Sequence, residues 1–283
     1  MNPLNTPVNE LFYQLNTLNG LLFTLDNQLN NFDKLYRGAI SKASFDISLI
    51  FSGTSLALRD LTEWPADGWA KYYPSGKFSS KGERYFELIR VFIAREAAWT
   101  VAQGYEAFEK YLKDISATLL LKNQNLAEIK KVYKYKSDVK SHAFSPNDIS
   151  YWRTFLNHSY KNNAAILKFL RRSFPKISES ETLNNRSIDL TDWFGVVEEI
   201  RHSVTHSNFI IKPNRMINWS KPRRAILRRY FPGNNEEEGY RLNLSSKDAE
   251  VNLLFFSEYA FQIYKIVSAD RGYDWNILNR RKD

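Results

Sequence analysis

Arg201, His202 and His206 stand together in the stretch DWFGVVEEIRHSVTHSNF, Asp192 to Phe209, which holds two of the chain's four histidines. Imidazole titrates near neutrality and can take or give a proton in a reaction. A guanidinium can hold a phosphate through two parallel hydrogen bonds and stabilise charge that develops on it. Trp193, Val197, Ile200 and Val204 recur at 4-3-4 spacing, which predicts a helix with one apolar stripe facing a core. Asp189 or Thr191 is placed to cap its start. At roughly 100° per residue, Glu198, His202 and His206 fall on the side opposite the stripe, with Arg201 on the flank. A histidine pair at i, i+4 can also hold zinc, and Glu198 shares its face. No H-E-x-x-H is present, and the two other histidines, His142 and His158, are distant in sequence.

The elements that position this face read as helices. The 283 residues are 43% apolar and 15% aromatic, ample for a buried core in one or two domains. Leu11, Leu15, Leu18, Leu22, Leu25, Leu29, Phe32 and Tyr36 alternate 4-3-4-3 and predict a long N-terminal helix packed within the protein or against a second copy. Residues 38 to 62 carry a further apolar pattern anchored by Phe45, Leu49, Leu56 and Leu61. Glu63 to Gly82 gathers Pro, Gly, Ser and aromatics, a boundary or surface loop. Its rings, with Lys71, Lys77 and Lys81, suit either base stacking or packing of the loop itself. From Glu83 to about Leu121 runs the longest helical pattern, with Val101, Tyr105, Phe108, Leu112, Ile115 and Leu119 inward and Gly104 as interior breaker.

A tract with Lys122, Lys130, Lys131, Lys134, Lys136 and Lys140 follows, interleaved with Tyr133 and Tyr135; it suits a polyanion surface or a solvated helix end equally. Ser145 or Asn147 is placed to cap a helix from Asp148 to Phe174, with Trp152, Phe155, Leu156, Ile166, Phe169 and Leu170 as its core and His158 structural. Lys176 to Arg186 reads as a polar loop. Beyond the histidine helix, Lys212, Arg215, Lys221, Arg223, Arg224, Arg228 and Arg229, with Trp219, Tyr230 and Phe231, form the strongest basic patch. Cations on phosphates and rings on unpaired bases are what single-stranded nucleic-acid sites combine. Glu236 to Glu238 are alternative partners for those arginines. Ser245 opens a last helix on Ala249, Leu253, Phe256, Ala260, Ile263 and Val267. No strand hairpin, repeat or Gly-rich phosphate loop stands out. The fold class is all-α.

Arg201 and His206 make an R-x4-H spacing on an amphipathic helix of a basic, cysteine-free chain, and in this the sequence resembles the HEPN superfamily. GYEAFEKYLKDI, within residues 104–115, is similar to the family's early acidic, aromatic-rich helix, from which Glu106 and Glu109 would either support the site or stand as solvated or paired surface charges. The resemblance implies a HEPN-type helical bundle with a long N-terminal helix and a basic insertion before the last helix. The expected division is residues 1–75 as an N-terminal helical region and 76–283 as the HEPN-like domain, with the insertion at 211–240. It further implies a metal-independent endoribonuclease acting at a homodimer interface and leaving 2′,3′-cyclic phosphate and 5′-hydroxyl ends. Arg201 would bind the scissile phosphate and His206 would act as acid or base. His202 would orient or assist, while Glu198, Thr205 and Asn208 shape the site. His202 stands where Asn or Asp is usual in the family, so the departure from pattern falls there.

No cofactor or metal is expected. The expected partners are RNA, tRNA among them, a second copy, and an antitoxin or regulatory protein, in a toxin or antiviral-defence setting. A net charge of +9 fits a polyanion or an acidic partner. No apolar run approaches the ~20 residues of a membrane span, the start lacks a signal pattern, and cytoplasmic residence is expected. The competing reading is a non-catalytic HEPN-like module that binds nucleotide, RNA or protein.

Overall fold

The computed structural model describes residues 2–42, 83–138, 144–160 and 162–276. The anchors Phe45 to Leu61, the loop Glu63 to Gly82 with its three lysines, Lys140, His142 and the tail from 277 lie outside them. The fold is all-α, with one small sheet. Ten α-helices are described: α1 (Asn5–Lys42), α2 (Glu83–Lys122), α3 (Ile129–Asp138), α4 (Ile149–Ser159), α5 (Asn163–Ser173), α6 (Lys176–Thr182), α7 (Leu190–His206), α8 (Pro213–Met216), α9 (Lys221–Tyr230) and α10 (Ser246–Asp270). Residues 1–23 and 94–283 form one compact unit and residues 24–93 a second. In the second unit the Arg37 guanidinium lies 3.6 Å from the Phe86 ring centroid, with its Nε bound to the Asp33 carboxylate at 3.1 Å.

The core of the larger unit follows the apolar stripes. Every inward residue expected of α2, α7 and α10 is buried, as are Leu11, Leu15 and Leu22 of α1. Phe108 of α2 is completely buried at the centre of an aromatic cluster. Its ring centroid lies 5.6 Å from Phe194 of α7, and 5.5 and 5.3 Å from Phe256 and Tyr259 of α10. Offset and tilted rings at such distances add to area burial. Gly104 is what admits α10 so closely, because a Cβ there would meet Leu253 Cδ2 at 2.7 Å and the Phe256 ring at 3.1 Å. Buried Asn252 joins three elements: its Oδ1 accepts from Trp193 Nε1 at 3.0 Å and its Nδ2 donates to the Tyr230 carbonyl at 2.9 Å.

Four local expectations are corrected. The pattern from 148 to 174 divides into α4 and α5, because the Asn162 side chain accepts from Ala165 N and starts a new helix. Asp148, not Ser145 or Asn147, caps α4 through Ser150 N. Residues 176–182, expected as loop, form α6, held by buried Ile177 and Glu181. The Glu181 carboxylate takes Arg171 Nε at 2.9 and 2.8 Å and the Tyr259 hydroxyl, a tertiary attachment that a short polar segment does not announce. Finally there is a hairpin after all. β1 (Ile210–Ile211), β2 (Gly233–Glu236) and β3 (Gly239–Leu242) make an antiparallel sheet in the order β1-β3-β2, with Glu236 opposite Gly239 and Ile211 opposite Tyr240. β2 is GNNE, too polar to alternate, and therefore silent to a period-2 search.

Gly104→Ala is expected to lower the melting temperature, although alanine is the better helix former by about 1 kcal/mol. Leu253 and Phe256 are buried and cannot swing aside, so overpacking of roughly 1–3 kcal/mol dominates. Thermal unfolding followed by circular dichroism measures it, and an unchanged or raised midpoint would refute the close-approach role.

Candidate functional site

α7 begins where the Asp189 carboxylate accepts from the backbone N–H groups of Thr191 and Asp192, satisfying two otherwise orphaned donors. Its apolar stripe is buried against α2 and α10. The opposite face therefore stays at the surface, and it carries Glu198, Arg201, His202 and His206. The two imidazole centroids are 5.0 Å apart with the rings tilted by 52°, as an i, i+4 pair on one helix must be. His206 is exposed, whereas His202 is half-buried.

The helix ends immediately after His206 in an unusual turn. Asn208 and Phe209 both adopt left-handed backbone, at φ 49° and 65°. Asparagine tolerates this, but phenylalanine pays about 1–2 kcal/mol. Four contacts hold the turn. Ser207 N and Phe209 N both donate to the Ser203 carbonyl at 3.0 Å, Leu242 N of β3 donates to the Phe209 carbonyl at 3.0 Å, and the Arg95 guanidinium lies 5.4 Å from the Phe209 ring centroid. The sheet thus fixes the chain leaving the histidine pair and turns Lys212 and Arg215 back along α7.

Arg201 reaches towards α2, where its Nη2 lies 3.4 Å from Glu106 Oε1. Its Nε is buried without a hydrogen-bond partner. Glu109 instead pairs with Lys113 at 2.9 Å and borders a cleft with Arg201. Arg215 Nε stands 3.5 Å from Glu199 Oε2. Glu199, His202 and Arg215 line two adjoining clefts of about 230 and 240 Å³, one floored by Ser203 and Ser207 and the other by Tyr105 and Asn163. The Thr205 hydroxyl donates to the Arg201 carbonyl at 2.9 Å, which directs it along the helix. Asn208 is exposed, and its carbonyl accepts from Arg241 Nη1 at 3.4 Å. Among the described residues no three His, Asp or Glu side chains converge as a metal-ligand set.

Electrostatics separate the titrating groups. Partial burial, with the nearby cations Arg215, Arg201 and Lys212 and the His206 ring, pulls the His202 pKa below the ordinary histidine value. Partial burial and the neighbouring Glu199 and Glu109 push that of Glu198 up, against the opposing pull of Arg223 and Arg215. His202 therefore favours its neutral form near pH 7, as a proton acceptor requires.

The basic segment is less available than its composition implies. Arg223 Nε binds the Asp192 carboxylate at 3.0 Å and its guanidinium covers Gly195, where a side chain would collide with it. Arg224 donates to the Met216 and Ile217 carbonyls at 3.3 and 3.4 Å. Trp219 and Phe231 are 8% and 0% exposed and cannot stack on a base; Tyr230 packs against Phe255 at 4.9 Å. Glu236 pairs with Arg241 at 2.6 Å, not with the arginines of α9. Lys212, Lys221, Arg228 and Arg229 remain as exposed cations. Elsewhere His158 faces Asp138 at 3.3 Å and the Tyr135 ring, a structural setting.

The folded His202 pKa lies below the unfolded one, so protonation opposes folding. As pH falls through about 6.5 the unfolded chain takes up the proton first, and stability declines down to the folded value. In NMR titration the His202 Cε1–H midpoint is expected below about 6.5, and Arg215→Ala is expected to raise it part of the way back, since burial remains. A midpoint unmoved by that substitution would show that Arg215 exerts no field on the ring.

No protein-family model, no curated protein and no solved structure matches this chain, and the chemistry of the site rests on the arrangement of Arg201, His202 and His206.

Proposed function

We propose that the chain is a metal-independent endoribonuclease of HEPN type, acting as a toxin or antiviral-defence effector. The observation that supports this most is the open face of α7, where two imidazoles 5.0 Å apart lie one turn beside an arginine whose Nε has no hydrogen-bond partner. In the proposed reaction a 2′-hydroxyl oxygen attacks the adjacent phosphorus. One imidazole takes the hydroxyl proton while the 5′-oxygen leaves with a proton from the other, giving a 2′,3′-cyclic phosphate and a 5′-hydroxyl. Neutral His202 suits the accepting task and His206, at the solvent edge, the donating one. Arg201 carries the charge that accumulates on the non-bridging oxygens. Lys212 and the exposed cations of α9 would hold flanking phosphates.

A second copy meeting this polar face would complete a composite site, since the apolar side of α7 is already committed to the core. Such a copy, or an acidic antitoxin, would also screen part of the +9 charge.

Purified protein incubated with total RNA and tRNA in excess EDTA is expected to leave cyclic-phosphate ends. His206→Ala and Arg201→Ala are each expected to reduce the rate roughly 10²–10⁴-fold, the usual worth of a proton-transfer group or charge-stabilising donor, while RNA retention by the histidine variant falls little. Cleavage by the histidine variant at the wild-type rate would sink the assignment. RNA retained by all three proteins and cut by none would favour a binding module.

A further inference from the structure

The cleft beside Arg201 and His202 has a chemical bias that phosphate binding does not explain. Beneath its cationic rim it is walled by hydrogen-bond acceptors. Glu198 and Glu199 come from α7 and Glu109 from α2, while Asn163 lies at the start of α5. Asn163 is only 3% exposed, and its Oδ1 is buried with no hydrogen-bond partner. Glu199 Oε2 is likewise buried without a hydrogen bond, with Arg215 Nε at 3.5 Å. Among the described residues no ion pair neutralises Glu198, and its carboxyl is pushed up by burial and by the two neighbouring glutamates. Buried acceptors left unsatisfied, as Asn163 Oδ1 and Glu199 Oε2 are, are stabilised by a ligand that brings several N–H donors.

We infer that this cleft is a base pocket for guanine, holding a guanosine of an RNA whose phosphate lies on Arg201 and Arg215. The inference rests on the nuclease reading above for the identity of the polymer. The choice of base follows from the edges. An ionised carboxylate is acceptor-only and offers two oxygens side by side. Guanine alone places two donors, N1–H and the N2 amino group, adjacent on its Watson–Crick edge. Adenine and cytosine each put an acceptor nitrogen beside the amino donor, and uracil flanks its single N–H with two carbonyls, so each of these turns a lone pair towards a carboxylate. Unpaired bases in RNA are read on this edge. The cleft volume of about 240 Å³ admits a single base, and the arginines at its rim suit the phosphate that a base carries with it. A protein guanidinium would satisfy the acceptors but would be repelled by those same arginines.

The test uses a short uridine oligomer with one internal guanosine, methylated at every 2′-oxygen and so uncleavable, beside versions carrying inosine or adenosine there. Fluorescence anisotropy with the full chain is expected to give a Kd roughly tenfold lower for guanosine than for inosine, which lacks the N2 amino group, and lower still relative to adenosine; one charge-assisted hydrogen bond has this worth. Glu198→Gln is expected to bring guanosine binding down to the inosine level. The melting temperature of Glu198→Gln checks that the variant has folded, and Glu109→Gln gives a second reading. Equal affinity for the three probes, or a guanosine preference that survives both substitutions, would overturn the pocket. Competition by guanosine 5′-monophosphate at the oligomer's own affinity would overturn RNA as the occupant in favour of free nucleotide. Because the probes cannot be cut, failure here leaves the cleavage result untouched, and absence of cleavage leaves this selectivity measurable.

Discussion

The closeness of α2 and α10 at Gly104 is the constraint on which the rest depends. With no side chain there, Leu253 and Phe256 settle against the backbone of α2, and Phe108 closes one turn later against Phe194, Phe256 and Tyr259. α7 is gripped in this layer by Trp193, which contacts Phe256 at 4.9 Å and bonds Asn252. A helix gripped along one stripe can rotate very little. The angular position of Arg201, His202 and His206 is therefore a by-product of core packing.

Around that fixed face the polar contacts divide into two kinds. Some are spent on the fold: Arg223 on Asp192, Arg171 on Glu181, Arg153 and Lys110 on Asp114. Buried or well-aligned pairs of this sort position elements more than they add net stability. Others are incompletely satisfied, namely Arg201 Nε, Glu199 Oε2 and Asn163 Oδ1, and all three border the same cleft. Unmet hydrogen-bonding capacity is costly where water is excluded, and three such atoms meet in this one cleft beside the histidine pair. The left-handed Asn208 and Phe209 add backbone strain at the same place, a further feature that tends to gather at functional sites.

The basic segment shows how far composition can mislead about availability. Seven cations and three rings between 212 and 231 read as a nucleic-acid platform, yet Trp219 and Phe231 are buried, Tyr230 packs on Phe255, and three of the arginines have partners within the fold. What survives is an electrostatic surface of lysines and arginines without stacking partners of its own.

The sequence by itself determined the helices whose stripes are long and regular, α1, α2, α7 and α10, together with the cap at Ser245 and a start of α7 at Asp189 or Thr191, because periodicity and capping are local properties read within a few turns. It also determined that Glu198, His202 and His206 share a face, which helical geometry alone dictates. Only the tertiary structure decided the rest. α6 exists because Glu181 finds Arg171 and Tyr259, contacts ten and seventy-eight residues away in sequence. The polar strand β2 exists because β3 offers it a ladder. Glu106, from a helix about ninety-five residues earlier, meets Arg201, and Asn163, from a segment with no motif, walls the cleft beside His202. Proximity across the chain carries no local signature, since it arises from how buried surfaces fit together rather than from the spacing of residues along one element.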